Sequence, residues 1–207
     1  MREPSAPRLE AAIRTHLAPL LRSDGFAGSG RTFRRVLLDW VQLINVQSSR
    51  WGGSFAINLA VHPLALPDLR GDRPDPQKIN EELCEFRRRL SGTNTDQWWK
   101  YENTEASMIK AVSEAGEVYI NFGRPLLARV SGADAAINTV LAADFAEGRF
   151  DFGGFGSTRV RMALALSRLR RTQGRLSEAV SFATLGLANV GSAVALRREL
   201  EQLAGQS

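Results

Sequence analysis

Residues 54–61 alternate large and small side chains without a break. Phe55, Ile57, Leu59 and Val61 fall at every second position, with Ser54, Ala56, Asn58 and Ala60 between them. A period of two belongs to an extended strand, whose successive side chains point to opposite faces. One face is therefore large and apolar. The other is small, which leaves room for a helix to pack closely, and the N-terminal helix is the candidate for that place. Two further β-rich runs precede this strand. Residues 31–38 and 41–48 flank Asp39-Trp40, and Arg50-Trp51-Gly52-Gly53 turns the chain into 54–61. Connections this short leave no room for a crossover, so the three runs form an antiparallel meander.

The flanking segments have other periods. Leu9, Ala12, Ile13, His16, Leu17, Leu20 and Leu21 recur at three- and four-residue spacing, which predicts an amphipathic helix over 8–22. Pro19 removes a backbone donor inside it and should kink or divide it. Asp24-Gly25 is the expected stop, with the glycine in a left-handed cap. The proline-rich stretch 63–76 reads as a loop, 77–83 as a short helix, and 84–90 as a fourth strand. Helical spacing resumes from Thr104, and 134–145 also reads as helix. The fold class is α+β: an N-terminal helix packed on a meander of three to four strands, then helices.

Residues 148–157 contain four glycines and three phenylalanines and read as a linker. Beyond it, 158–207 is expected to form a helical hairpin docked on an α+β domain spanning 1–147. Gly174-Arg175-Leu176-Ser177-Glu178-Ala179, with Leu166 and Leu169 before it and Ala183 and Leu187 after it, resembles a single tetratricopeptide-like unit. No second copy follows, and repeat arrays need about three units for stability.

Few residues invite chemistry. The single cysteine, Cys84, excludes an internal disulfide and behaves as a small apolar residue when buried. Two distant histidines, His16 and His62, make a poor metal set, and neither has a nucleophile or carboxylate at recognisable spacing. Neither a metal nor a cofactor is expected. His16 falls on the apolar side of its helix. Glu81 and Glu85 would share a helix face and pair with Arg88 or Arg89. Phe152-Gly153-Gly154-Phe155-Gly156-Ser157 lacks the lysine of a phosphate-binding loop. There is no run of eighteen apolar residues and no basic-then-apolar leader, so no membrane span is expected and the cytoplasm is the default compartment.

The net charge is +5, and only Lys78, Lys100 and Lys110 of the 27 basic residues are lysines. Arg31, Arg34, Arg35, Arg50 and Trp51 surround the meander. Positive charge interleaved with aromatics is the footprint of single-strand nucleic-acid binding. Trp98-Trp99 is the other unusual pair. In extended chain the two rings face opposite ways, so one enters the core and the other anchors an interface at the surface. Arg159, Arg161, Arg168, Arg170, Arg171 and Arg175 form a second basic run, which on a helix does not share one face.

From Gly25 to Leu59 the chain runs Gly25-Phe26, Gly30-Arg31-Thr32-Phe33-Arg34-Arg35, Val41-Gln42-Leu43-Ile44-Asn45-Val46-Gln47, Trp51-Gly52 and Phe55-Ala56-Ile57-Asn58-Leu59. This block resembles a bacterial family known only as a domain of unknown function, number 4304. The resemblance implies an N-terminal helix leading into a meander, then a cysteine-arginine segment and a tryptophan pair. Cys84-Glu85-Phe86-Arg87-Arg88-Arg89-Leu90 and Trp98-Trp99 occupy those places. It covers about the first two thirds of the chain and transfers no catalytic residue.

The functional expectation is therefore a non-enzymatic binding protein with a protein partner. Toxin neutralisation is one form of it, although the basic charge disfavours a basic nuclease as target. The alternatives are a nucleic-acid-associated protein and an enzyme using Asn45, Asn58 or arginines on the small face of the meander.

Overall fold

A computed structural model describes residues 8–93, 95–132 and 134–205. The chain begins with α1 (Leu9–Ala12), a π turn (Ile13–Leu17) and α2 (Ala18–Ser23). Six strands follow: β1 (Ala27–Ser29), β2 (Thr32–Leu37), β3 (Trp40–Ser48), β4 (Ser54–Pro63), β5 (Phe86–Arg89) and β6 (Trp99–Lys100). Next come α3 (Glu105–Val118), a second π turn (Tyr119–Gly123) and α4 (Arg124–Val130). The short α5 (Ala136–Thr139) and α6 (Ala142–Glu147) lead to α7 (Arg159–Thr172), α8 (Leu176–Asn189) and α9 (Val194–Ala204). The strand order is β1-β2-β3-β4-β5, with β6 pairing β4 off that path. The α+β class holds, with six strands where three to four were expected. The two unforeseen strands, β1 and β6, are only three and two residues long.

Contacts group the chain into two units. The first draws on the described parts of Met1–Arg35, Gln42–Leu59 and Arg89–Leu127; the second on Val36–Val41, Ala60–Arg88 and Ala128–Ser207.

In the first unit both helical segments solve one problem in the same way. Pro19 and Pro125 have no N–H to donate, and each ring would strike the carbonyl four residues back. Each follows two residues after a π turn. Ala18 N–H reaches Ile13 O and Arg124 N–H reaches Tyr119 O, each five residues back. The extra residue in a π turn rotates everything after it. Leu17, Ala18 and Leu21 are therefore buried, whereas His16 is exposed and not packed on the apolar side as regular spacing predicts. At the end of α2, Gly25 takes φ +85°, and Phe26 N–H bonds Leu21 O, closing a left-handed cap.

The helices cover the large-residue face of the meander, not the small one. Phe33, Ile44, Val46, Phe55, Ile57 and Leu59 are all buried there. Arg35 and Gln42 share that face by alternation, and their bonds identify what lies over it. Gln42 Nε2 donates to Leu127 O on α4 at 3.0 Å, and Arg35 donates to Asp24 O at the end of α2. The helices go where burial is worth most, about 1.5–3 kcal/mol for each large apolar side chain.

A polar knot joins these elements. Asp24 Oδ2 accepts from the Tyr119 hydroxyl at 2.7 Å and from Arg124 Nε at 2.8 Å. Arg35 also donates twice to Gln42 Oε1. Burial, then the Asp24 bond, pushes the Tyr119 phenol well above its ordinary range.

The second unit is built around an arginine. Arg170 on α7 is fully buried; it donates to Ile137 O and Val140 O and lies 3.4 Å from Glu178. Those carbonyls are available because 134–145 is not one helix but two short ones, broken between α5 and α6. Arg175 grips Glu178 with two bonds, and Gly174 makes the α7–α8 turn at φ +74°. A Cβ on Gly186 would come within 2.7 Å of Leu200, so this glycine sets how closely α8 and α9 approach. In the glycine-rich segment Phe152 and Phe155 are buried, and Phe152 meets Phe86 edge-on. Residues 77–83 form only a 3-10 turn, Glu81–Leu83, with the Asn80 side chain accepting from Leu83 N–H.

Tyr119→Phe keeps the ring and loses the bond to Asp24. It should lower unfolding stability by about 1.5–3 kcal/mol, the range for a hydrogen bond to a charged group. Asp24→Ala also strands the Tyr119 hydroxyl and should cost more. Urea denaturation reads both as lowered midpoints with an unchanged slope.

Candidate functional site

Where the large face of the meander is covered, the opposite face in the first unit is buried at Leu43 and Ala56 but partly accessible at Thr32, Asn45, Gln47 and Asn58. Its centre is a row of amides. Asn45 Nδ2 donates to Thr32 Oγ1 at 3.1 Å, linking β2 and β3. Asn58 Nδ2 donates to Asn45 Oδ1 at 3.3 Å and to Gln47 Oε1 at 3.0 Å, linking β3 and β4. These bonds leave the Gln47 amide nitrogen and the Asn58 carbonyl oxygen with no protein partner among the described residues.

Cations and a ring flank that row. Arg34 is half-buried and shares the face of Thr32 by alternation along β2. Leu90 N–H donates to Ile57 O, and Leu90 is buried, so the half-buried Arg89 turns to the side of Asn58. Ser54 pairs with Lys100 and Phe55 with Trp99. Trp99 therefore points into the core, where it is 4% exposed and stacks on Phe55 at 5.6 Å. Trp98, one residue earlier, points to the open face with Lys100 and is 38% exposed. Arg89 lies over the Trp98 ring at 4.8 Å. Asp96 holds both: it lies 3.3 Å from Arg89 and accepts from the Trp98 indole N–H at 3.1 Å.

The remaining sequence candidates lie elsewhere. Trp51 is 82% exposed at the β3–β4 turn, with Arg50 over its ring at 4.7 Å. Arg31 is held by Glu10 at 2.6 Å. Sequence reasoning picked out Arg34 and Trp98 but passed over Arg89, Lys100 and Gln47. The alternation of Trp98-Trp99-Lys100 was a usable signal for Lys100. For Arg89 the signal was its place one residue before an apolar strand position.

The second unit offers less. A cavity of about 490 Å³ is lined by Leu38, Trp40, Leu169, Asn138, Gln173 and Arg175, among others. Its polar groups satisfy one another: Asn138 donates to Gly132 O, Gln173 to Asn138 Oδ1, and Arg175 to Asn138 O. Leu38 at its rim is 83% exposed with φ +51°, a strained conformation for leucine at a hairpin tip. Val36 and Leu37 beside it are also exposed.

Three titratable groups of this unit, His62, Glu85 and Cys84, are buried and bonded. His62 is buried; its Nδ1 accepts from Glu85 N–H, which makes Nε2 the donor to Leu66 O. Burial pushes the imidazole below its ordinary range, so it is neutral at pH 7. Glu85 does not pair with Arg88 or Arg89. The chain is extended there, and Glu85 is buried 3.3 Å from Arg168, which also binds Glu199. Burial pushes its carboxyl up, against the pull of Arg161 and Arg168. Cys84 is buried and donates to Asn80 O. Among the described residues no group of three or more His, Cys, Asp and Glu could hold a metal, and no helix is long and apolar enough to cross a membrane.

A family model described as "Domain of unknown function (DUF4304)" matches residues 17–126. This interval includes α2, all six strands, α3 and the open face of the meander. Comparison with curated proteins and with solved structures gives no match.

The adjacent tryptophans should separate on substitution. Trp99→Ala empties a core position and should cost about 3–5 kcal/mol. Trp98→Ala acts at the surface and should cost less than about 1 kcal/mol. Thermal and urea unfolding of the two variants checks the difference.

Proposed function

We propose a binding function, exerted through the open face of the meander, for this chain, which belongs to the DUF4304 family. The observation that carries it is Trp98. A large ring left partly in water, backed by Arg89 and oriented by Asp96, costs hydrophobic stabilisation that burial would have supplied. Tryptophan and arginine at an accessible site are also the residue types that dominate binding energy at interfaces.

The composition of the face supports binding over catalysis. It offers amide donors and acceptors, guanidinium groups and an ammonium. None of these exchanges a proton readily near pH 7. Of the groups better suited to proton transfer, His62 and Glu85 are buried and bonded in the second unit, and the exposed His16 lies on the π turn of the N-terminal helices that cover the other face. A rigid sheet carrying fixed polar groups is suited to holding an extended partner in one register.

Immobilised full-length chain and its Trp98→Ala variant, each exposed to lysate of the source organism, test this. Under the proposal, a component held by the unsubstituted chain is retained at least about tenfold less by the variant, the loss expected for a tryptophan hot spot. Equal retention by both would remove the open face as the binding surface.

A further inference from the structure

Resting on that binding role, we infer that the partner of the open face is a single-stranded nucleic acid, bound with a base stacked on Trp98 and its phosphates on the flanking cations.

Charge supports the choice first. Arg34, Arg89 and Lys100 share the face, and Asp96 is the carboxylate found bonded there, tied to Arg89 and Trp98. The chain as a whole carries +5. An anionic partner is favoured, with phosphates spaced along it to meet cations on separate strands.

The ring and the amides then separate a nucleic acid from an acidic peptide. A peptide carboxylate would use the cations and leave an exposed indole without a role. A base uses the indole face directly, and stacking on aromatic side chains is the main attraction for single strands. Asp96 accepts from the indole N–H and steadies the ring edge, while Arg89 covers one side of it. The other side is the place for a base. The Gln47 amide nitrogen and the Asn58 carbonyl oxygen present a donor and an acceptor on neighbouring strands. A base edge carries both kinds of group, and single strands expose those edges where duplexes pair them. Lys100 lies on β6 and Trp98 immediately precedes that strand, so phosphate and base contacts fall within one nucleotide's reach.

With Arg89 ion-paired to Asp96, two phosphate contacts predict a logarithmic salt slope of about −1.4 for a single strand. Affinity should then fall by about sevenfold between 50 and 200 mM salt.

Fluorescence anisotropy of the full chain with labelled twelve-nucleotide RNA, DNA of the same sequence and a matched duplex tests the inference. The expected result is binding of at least one single strand at 50 mM salt, with the duplex weaker and the stated loss at 200 mM. Trp98→Ala should weaken it at least about fivefold, the lower range of one stacked base. Lys100→Gln should weaken it and flatten the salt slope. Arg198→Gln, the same charge change on exposed α9, should leave it as it is. Circular dichroism and a melting curve establish that Trp98→Ala is folded; if it is not, Lys100→Gln against Arg198→Gln decides. No binding of either single strand at 50 mM salt, equal binding of duplex, or equal effects of the Lys100 and Arg198 substitutions would overturn it. A nuclease-resistant component that still depends on Trp98 in the lysate experiment, with no oligonucleotide binding, would leave the binding face standing and remove the nucleic acid.

Discussion

Burial of the large-residue face of the meander is the constraint on which the first unit depends. Phe55, Ile57 and Leu59 on β4 line up with Ile44 and Val46 on β3 and Phe33 on β2, all fully or almost fully removed from water. Each such side chain is worth about 1.5–3 kcal/mol, so the helices are committed to that side. Strand alternation then leaves the opposite side with whatever lies between: Thr32, Asn45, Gln47 and Asn58 in partial contact with water, beside the buried Leu43 and Ala56. The open part of this face is thus a geometric consequence of the covered one. It could also be furnished for function, because Thr32, Asn45, Gln47 and Asn58 carry little of the packing.

The polar groups of the covered face are spent on holding the helices in place. Gln42 and Arg35 are polar residues on an apolar face, and each is paired with backbone at a helix end. Asp24 gathers Tyr119 and Arg124 at the second of the two π turns. An unpaired group at any of these positions would carry the full cost of desolvation, so the knot specifies one helix placement rather than adding much net stability. In the second unit Arg170, Arg168 and Arg175 play the same part, each bonded to carbonyls or carboxylates. These three arginines of the basic run are structural, which directs attention to Arg89 and Lys100 as charge on an accessible face.

The meander was legible because its three strands are joined by short turns and its alternation is unbroken. The chain ends of the sheet were not: β1 lies in Ala27-Gly28-Ser29, whose composition reads as turn, and β6 is two residues set by pairing with Ser54 and Phe55. The covered face was misjudged because room for a helix was weighed above the gain from burying large residues. His16 was misplaced because a π turn adds one residue to the period, a shift that Pro19 hints at without locating. The Trp98-Trp99 division, in contrast, follows from alternation alone. What alternation could not give is Arg89 over the Trp98 ring and Asp96 bonded to both, because Asp96 comes from a loop and not from a strand.

The central claim is that one face of the meander is sealed and the other presents Trp98. Hydroxyl-radical footprinting of the native chain, read by mass spectrometry at the four tryptophans, tests it most directly. Trp51 and Trp98 should be oxidised in the folded protein, and Trp40 and Trp99 only after unfolding. Protection of Trp98 in the native chain, or oxidation of Trp99 at a comparable rate, would contradict the account.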